Sequence, residues 1–494
     1  MTIFTLVGYI GIAGIIISLI TGLILKVHKN HLVSFLQNFC GAWFIFSGLV
    51  KAIDPTGTAF KMEQYFGEFD RAFSPTWFSF LVPMFDWCND NSRGFAIAMI
   101  VLELVLGIML IIGARKRLTA WLFFGIMVIF TFLTGFTFLT GYTPNGVTFF
   151  EFGKWGPYVE SNMKVTDCGC FGDFLKLKPK ISFFKDLFLM IPAFVFLFGQ
   201  RKMHHLLTRK WRTALTFIAT AASIGFCTWF TYFTEPLIDF RPFRQGVNLR
   251  EQMKAEADAA AAVQVTAWRL QNIKTKEVKT VPNAEYMANL SNYPSEIWEV
   301  IEQIKPEPAI PHSKVSEFMA EDTDGTDHAE ALLSDPNYSF LVLAYHIDFK
   351  NGKSTSRTVT DTIYRTDTIR VKKDSIRLVQ TLDHIAKSEV KTYDYDFDPA
   401  YEALYKKVNP FMDEAQKAGF KVHGLTGPAD AAVLDDFRHS TQAAYPIYTA
   451  DDIMIKTIMR SNPGVLLLKN GEVIAKFHIR DLPAFSTVKA TYMK

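Results

Sequence analysis

The chain has 494 residues, of which 49 % are hydrophobic, 45 are Phe and only 20 % carry charge. That length exceeds a single core and calls for two or more domains. A net charge of +3, with basic runs confined to loops beside apolar segments, argues against nucleic acid as a partner, and the five cysteines, all before residue 228, leave the C-terminal half without thiol chemistry or a cysteine metal site.

Six segments approach the ~20 apolar residues that cross a bilayer: 2–25, 32–50, 94–114, 118–141, 181–199 and 213–234. The second is interrupted by Gln37 and Asn38. The fifth carries Lys185 and Asp186 near its start and Pro192 within it. The first has no basic lead and no small-residue cleavage site, so it reads as a retained helix and not as a signal peptide. Basic residues fall in every second connection: Lys26 and Lys29; Arg115, Lys116 and Arg117; Arg201, Lys202, Arg209, Lys210 and Arg212. Short basic loops stay on the cytoplasmic side. The N-terminus, the connections 51–93 and 142–180, and everything after 235 are then expected outside.

Several polar residues stand out in chain order. Lys51 and Asp54 close the second span and read as an ion pair or a headgroup contact. The aromatics of 60–90 alternate with polar residues, which suits an amphipathic segment on the bilayer surface. Glu103 lies inside the third span, where an ionisable group is costly. It reads either as a proton relay or as a paired structural residue. Thr131, Thr134, Thr137 and Thr140 share a helix face, for packing or for lining a polar cavity.

Cys168 and Cys170 are the sharpest feature. A Cys-x-Cys disulfide closes a small, strained ring, which eases its reduction. Gly169 permits the backbone angles such a ring needs. A redox dithiol and a structural role both stay open; four-ligand metal binding is disfavoured because loop 142–180 has no His. Asp167 and Asp173 flank the pair and would disfavour its thiolate. Cys88 reads as a third thiol or an unpaired half-buried one; Cys40 and Cys227 fall within spans and pack.

The stretch FIFSGLVKAIDPTGTAFKMEQYF (44–66) resembles the opening motif of the DoxX family of small bacterial membrane proteins. ELVLGIMLIIG (103–113) resembles that family's next helix, and DCGCFGD (167–173) resembles the Cys-Gly-Cys-Phe-Gly motif of the related MauE proteins of methylamine utilisation. The resemblance covers roughly 30–235. One departure is the pair Gln37 and Asn38 where the family often has Arg. The resemblance implies a bacterial cytoplasmic membrane location and a redox function, with Cys168 and Cys170 as the exchanging pair; Glu103, by its place inside a span, is the candidate proton relay of such chemistry. The resemblance also implies an exported thiol protein or a membrane redox protein as partner, and quinone as a candidate cofactor.

The expected architecture is a membrane all-α bundle over 1–235, a juxtamembrane helical linker over 236–262 and a soluble α/β domain over 263–494. IDFRPFRQGVN (238–248) resembles the juncture in a longer DoxX-like branch that carries a C-terminal thioredoxin-like domain. VQVTAWRL (263–270) and KEVKTVP (276–282) read as a hairpin. FLVLAYHI (340–347) reads as a buried strand. An insertion over about 349–395, with the near-repeats TDTIYR, TDTIRV and KDSIRL, suits an exposed hairpin or an extended stalk. Then follow a helix (399–419), a strand (421–425), a helix (429–440), a strand near Tyr445–Tyr448, a helix (451–461) and a hairpin turning at Asn470-Gly471. That order, with Asn462-Pro463 at the position of a cis-proline loop, is similar to thioredoxin-like domains, and VSEFMAEDTDGTDHAEALL (315–333) resembles the lead-in of their extracytoplasmic branch. The Cys-x-x-Cys that should follow the first central strand is missing, since DFKNGKSTSRTV holds no cysteine. Two functions are therefore in view: a membrane thiol–disulfide protein, or a non-enzymatic anchor whose C-terminal domain binds an envelope partner.

Overall fold

The structure, a computed structural model, describes residues 2–165, 169–306, 308–372 and 375–494, with the backbone alone over 351–394. The chain divides into two compact units. The first holds Met1–Glu317, Lys456–Ser461 and Gly471–Leu482; the second holds Phe318–Ile455, Asn462–Asn470 and Pro483–Lys494.

The first unit begins with eight helices: α1 (Ile3–Leu19, continued by a π-helical turn Ile20–Ile24), α2 (His31–Ile53), α3 (Pro55–Phe73), α4 (Val82–Asp90), α5 (Ser92–Ile112), α6 (Lys116–Thr140), α7 (Pro179–Phe198) and α8 (Arg209–Tyr232). Six of them, α1 with its extension, α2 and α5–α8, are long and apolar enough to cross a membrane, as the sequence predicts. The polar interruption of α2 is bonded to its neighbours except at Asn38 Oδ1, which is buried without a hydrogen-bond partner among the described residues. Gln37 Nε2 donates to Leu110 O at 3.1 Å, its Oε1 accepts from His204 N at 2.8 Å, and Asn38 Nδ2 donates to Ser18 Oγ at 3.0 Å. Where water is absent, such bonds hold helices together. At the α2–α5 crossing, a Cβ on Gly107 would meet Gly41 O at 2.8 Å, so both helices need their small residue there.

The interfacial segment expected over 60–90 is only partly seen. Tyr65, Phe69 and Ala72 lie at helical spacing on one face of α3 and are buried with Phe136 and Val165. The large exposed apolar side chains are confined to Trp77, Phe80, Met84 and Trp87.

After α8 come α9 (Leu249–Ala261), capped by Asn248, whose side chain accepts from Glu251 N, and a three-stranded antiparallel sheet of order β2-β1-β3. Its strands are β1 (Ala267–Asn272), β2 (Val278–Pro282) and β3 (Trp298–Ile304), with the short helix α10 (Asn283–Ala288) between β2 and β3. The β1–β2 hairpin matches the sequence pattern. β3 escapes it because a register irregularity at Arg269/Leu270 breaks the two-residue alternation opposite Val300.

The second unit is mixed α/β. It holds α11 (Ala329–Leu333), β4 (Tyr338–Ala344), β5 (Phe349–Lys372), β6 (Ser375–Phe397), α12 (Pro399–Lys406), α13 (Asn409–Lys417), β7 (Lys421–Thr426), α14 (Ala431–Thr441) and β8 (Ile447–Thr449). Then come α15 (Asp452–Ile458), whose residues from Lys456 on belong to the first unit, β9 (Gly464–Lys469), β10 (Glu472–His478), which also belongs to the first unit, and α16 (Phe485–Tyr492). β4 is parallel to β7 and antiparallel to β9, and β8 is parallel to β7. Phe340 to Leu343 are fully buried, as the continuous apolar run predicts for a central strand. The insertion is a long antiparallel hairpin, paired from Phe349↔Phe397 to Lys372↔Ser375 with register shifts at Lys350/Lys353, Ile363/Tyr364 and Arg370/Lys372. The single helix expected over 399–419 is two helices, because Pro410 cannot donate within a helix and instead occupies the first turn of α13. The Asn462–Pro463 peptide is cis, and Asn470 and Gly471 both have positive φ, as a two-residue turn requires.

Candidate functional site

Five helices and one loop of the first unit surround a cavity of about 660 Å3 of atom-free space, part of it open to solvent. Helical spacing aims the lining. Ser47 and Lys51 lie one turn apart on α2. Thr58, Met62 and Tyr65 follow one face of α3, and Met127, Phe130 and Thr134 one face of α6. Glu103 enters from α5, Lys185 and Asp186 from α7, and Gly169 and Cys170 from the α6–α7 loop.

Two ion pairs are buried in this wall. Lys51 Nζ donates to Glu103 Oε1 at 2.5 Å, with the two residues 4 % and 1 % exposed. Lys185 Nζ lies 2.6 Å from Asp186 Oδ1. Ser47 Oγ lies 3.0 Å from both Glu103 Oε2 and Cys170 O, and its single proton serves one of them at a time. Thr134 Oγ1 lies 3.0 Å from Asp186 Oδ2. Taking charge out of water is costly unless it is paired and hydrogen-bonded, and both pairs meet that condition. Glu103 is paired, with Lys51 as partner. Of the two readings of the threonine face, Thr134 lines the cavity and Thr137 Oγ1 donates to Tyr65 OH at 3.1 Å.

Cys170 is pinned on both sides. Phe171 is fully buried and its ring packs edge-on against Trp43 at 5.7 Å. Gly169 has φ +60°, and a Cβ there would meet Lys61 Cγ at 2.9 Å, so the loop lies closer to α3 than a larger residue allows. Lys185 Nζ lies 3.5 Å from Cys170 Sγ. Burial pushes the Cys170 thiol above its ordinary range; the Lys185 cation opposes that rise and the Asp186 carboxylate adds to it. Cys168 and Asp167 lie outside the described residues. Cys88, on α4, does not line the cavity, and Cys40 and Cys227 are buried. No disulfide joins the described cysteines.

Two sequence expectations change here. Lys51 pairs with Glu103, and Asp54 with Arg460. The guanidinium reaches Asp54 Oδ2 at 2.6 Å and Asp173 Oδ2 at 3.0 Å, while Asp54 Oδ1 also accepts from Gly57 N at 2.9 Å to cap α3. The negative charge of Asp173 is therefore compensated, and among the described residues the Lys185 cation lies 3.5 Å from Cys170 Sγ. Lys185 and Asp186 were legible only as a polar start to the fifth span. Among the described residues, no group of three or more His, Cys, Asp and Glu could hold a metal ion.

Residues 29–145 match the family of the methylamine utilisation protein MauE. The MauE-like stretch takes in α2 to α6, and with them Ser47, Lys51, Thr58, Tyr65, Glu103 and Thr134 of the cavity. It ends before Cys170, Lys185 and Asp186. No curated protein and no solved structure matches the chain.

Proposed function

We propose that the MauE-like bundle is a thiol–disulfide redox module of a bacterial cytoplasmic membrane, with Cys168 and Cys170 as its exchanging pair. The observation that carries this reading is the Cys170 thiol, 3.5 Å from the Lys185 ammonium, on the wall of a cavity that also holds the Lys51–Glu103 pair. Burial disfavours the Cys170 thiolate, the attacking species, and the adjacent cation offsets part of that penalty. In the proposed exchange the Cys170 thiolate attacks one sulfur of a partner disulfide, and the partner's other sulfur leaves as thiolate. The Cys168 thiolate then attacks Cys170 Sγ and releases the first partner sulfur. The partner gains two electrons and two protons, and the Cys168–Cys170 disulfide holds the oxidation. The same steps run in reverse when the partner is the reductant.

Glu103 is the candidate proton relay. Ser47 Oγ lies within hydrogen-bond distance of both its carboxylate and Cys170 O. A quinone is the carrier the resemblance implies, and when bound it would exchange two electrons and two protons. The apolar walls Trp43, Phe44, Met99 and Phe130, with the donors Lys51 and Lys61, fit an aromatic ring bearing carbonyl oxygens. Loop 142–180 and the C-terminal region belong, in this reading, on the periplasmic side, where exported thiol proteins are met.

A second reading rests on β4. A buried strand with one parallel and one antiparallel neighbour, followed by a cysteine-free segment, supports a thioredoxin-like domain that binds an envelope partner without exchanging disulfides. The bundle would then serve as its anchor. A Cys168→Ser/Cys170→Ser double variant separates the two in a complementation assay. Loss of function is expected; full function would reject the redox reading and leave the anchor.

A further inference from the structure

The turn between α5 and α6 and the start of α8 form a second concavity, of about 1050 Å3 of atom-free space partly open to solvent. Arg115, Lys116, His205, Arg209 and Arg212 line it, and among the described residues no acidic one does. Two of these cations are held by backbone oxygens. Lys116 Nζ donates to Met203 O, and Arg212 Nη1 donates to Gly113 O at 3.4 Å. Carbonyls fix position but leave the positive charge uncompensated. The His205 imidazole reports that field: burial, then the Lys116, Arg212 and Lys29 cations, hold it below its ordinary range. Thr208 precedes α8 without bonding its side chain to the helix N–H groups, so the positive end of a 24-residue helix adds to the same concavity.

The surroundings are apolar and outward-facing. Leu118 and Trp121 on α6 and Trp211, Leu215 and Ile218 on α8 are exposed large side chains on the same two helices, within two turns of residues that line the pocket. A free phosphate would use the cations and leave these faces bare. A zwitterionic lipid would bring its own ammonium against the guanidinium groups. An anionic phospholipid satisfies both features.

We propose that this pocket binds the phosphodiester headgroup of an anionic phospholipid, with the acyl chains lying along α6 and α8. The proposal is independent of the redox reading, since it uses none of the residues around Cys170.

The test is native mass spectrometry of the full-length protein in detergent, titrated with phosphatidylglycerol, with phosphatidylcholine, or with phosphatidylglycerol plus excess inorganic phosphate. Phosphatidylglycerol should be retained over phosphatidylcholine and should resist inorganic phosphate. Each lining cation lost should weaken retention about fivefold, so Arg115→Gln/Arg209→Gln should weaken it about 25-fold. Arg201→Gln/Lys202→Gln removes the same charge outside the pocket and should change retention less than about twofold. If the first double variant does not fold, Arg115→Gln alone carries the test, at about fivefold. Equal losses in the two double variants would overturn the proposal, as would equal retention of phosphatidylcholine. Displacement by inorganic phosphate would make this a free-anion site and overturn the lipid.

Discussion

Around Glu103, midway along α5, each buried charge has an opposite charge beside it: Lys51 with Glu103, and Lys185 with Asp186. Past Ile112, at the C-terminal end of the same helix, Arg115, Lys116, Arg209 and Arg212 line one pocket that no acid among the described residues enters. The difference follows from solvent. Inside the bundle an unpaired charge carries a desolvation cost of several kcal/mol, so pairing is a condition of folding. At the helix ends water and headgroups supply the counter-charge, and cations can remain available to a ligand. Removing a charge should therefore be expensive in the first region and nearly free in the second.

The largest effect should come from Lys51→Met. It leaves Glu103 buried without its cation and should cost about 3–5 kcal/mol in unfolding free energy, measured by denaturant titration in detergent. Lys51→Met/Glu103→Leu should recover most of that loss, because the pair and not either residue is what the cavity wall needs. A double variant as unstable as the single would break the first half of the comparison.

Next is Gly113→Ala, at the joint between the two regions. Gly113 has φ +64°, and a Cβ there would fall 2.1 Å from His204 O. The same turn is tied by Leu206 N donating to Ile112 O at 2.9 Å. The variant should lose about 1–3 kcal/mol, read from the same titration, and should loosen the basic pocket before it disturbs Cys170.

A smaller, signed effect concerns the thiol. Burial raises the Cys170 pKa and so disfavours the thiolate. Its alkylation rate should climb with pH through a midpoint above the ~8.5 of a free cysteine. Asp186→Asn removes a charge that disfavours the thiolate and should speed alkylation at fixed pH. Lys185→Met removes the charge that favours it and should slow alkylation. Each change should be a few-fold, about tenfold at most if the pKa moves by one unit. Equal rates in both variants would detach Lys185 and Asp186 from the thiol.

The smallest is Arg115→Gln. Without a buried acidic partner to lose, it should shift unfolding in lipid-free detergent by less than about 0.5 kcal/mol.

What the sequence made legible was whatever depends on local pattern. The six apolar helices, the β1–β2 hairpin, the buried strand β4 and the turn at Asn470-Gly471 all follow from length, alternation or turn chemistry. The failures come from pairings across sequence. Lys51 and Asp54 are three residues apart and suggest each other. Lys51 in fact reaches Glu103, 52 residues on, and Asp54 reaches Arg460, 406 residues on. Lys185 and Asp186 look like a defect in a span when read along the chain, and like part of a site only beside Cys170. Helical spacing offered one usable signal. Ser47 and Lys51 fall one turn apart on α2, and an acid buried in another span needs a cation of that kind.

The most direct test of the redox reading is the thiol state of Cys168 and Cys170 in intact cells, trapped with a membrane-impermeant alkylating reagent before and after mild reduction and mapped by peptide mass spectrometry. The reading predicts a pair that resists alkylation at rest because it is oxidised, and that takes up two labels after mild reduction. Cysteines already labelled before reduction, or still unreactive after it, would contradict a redox role.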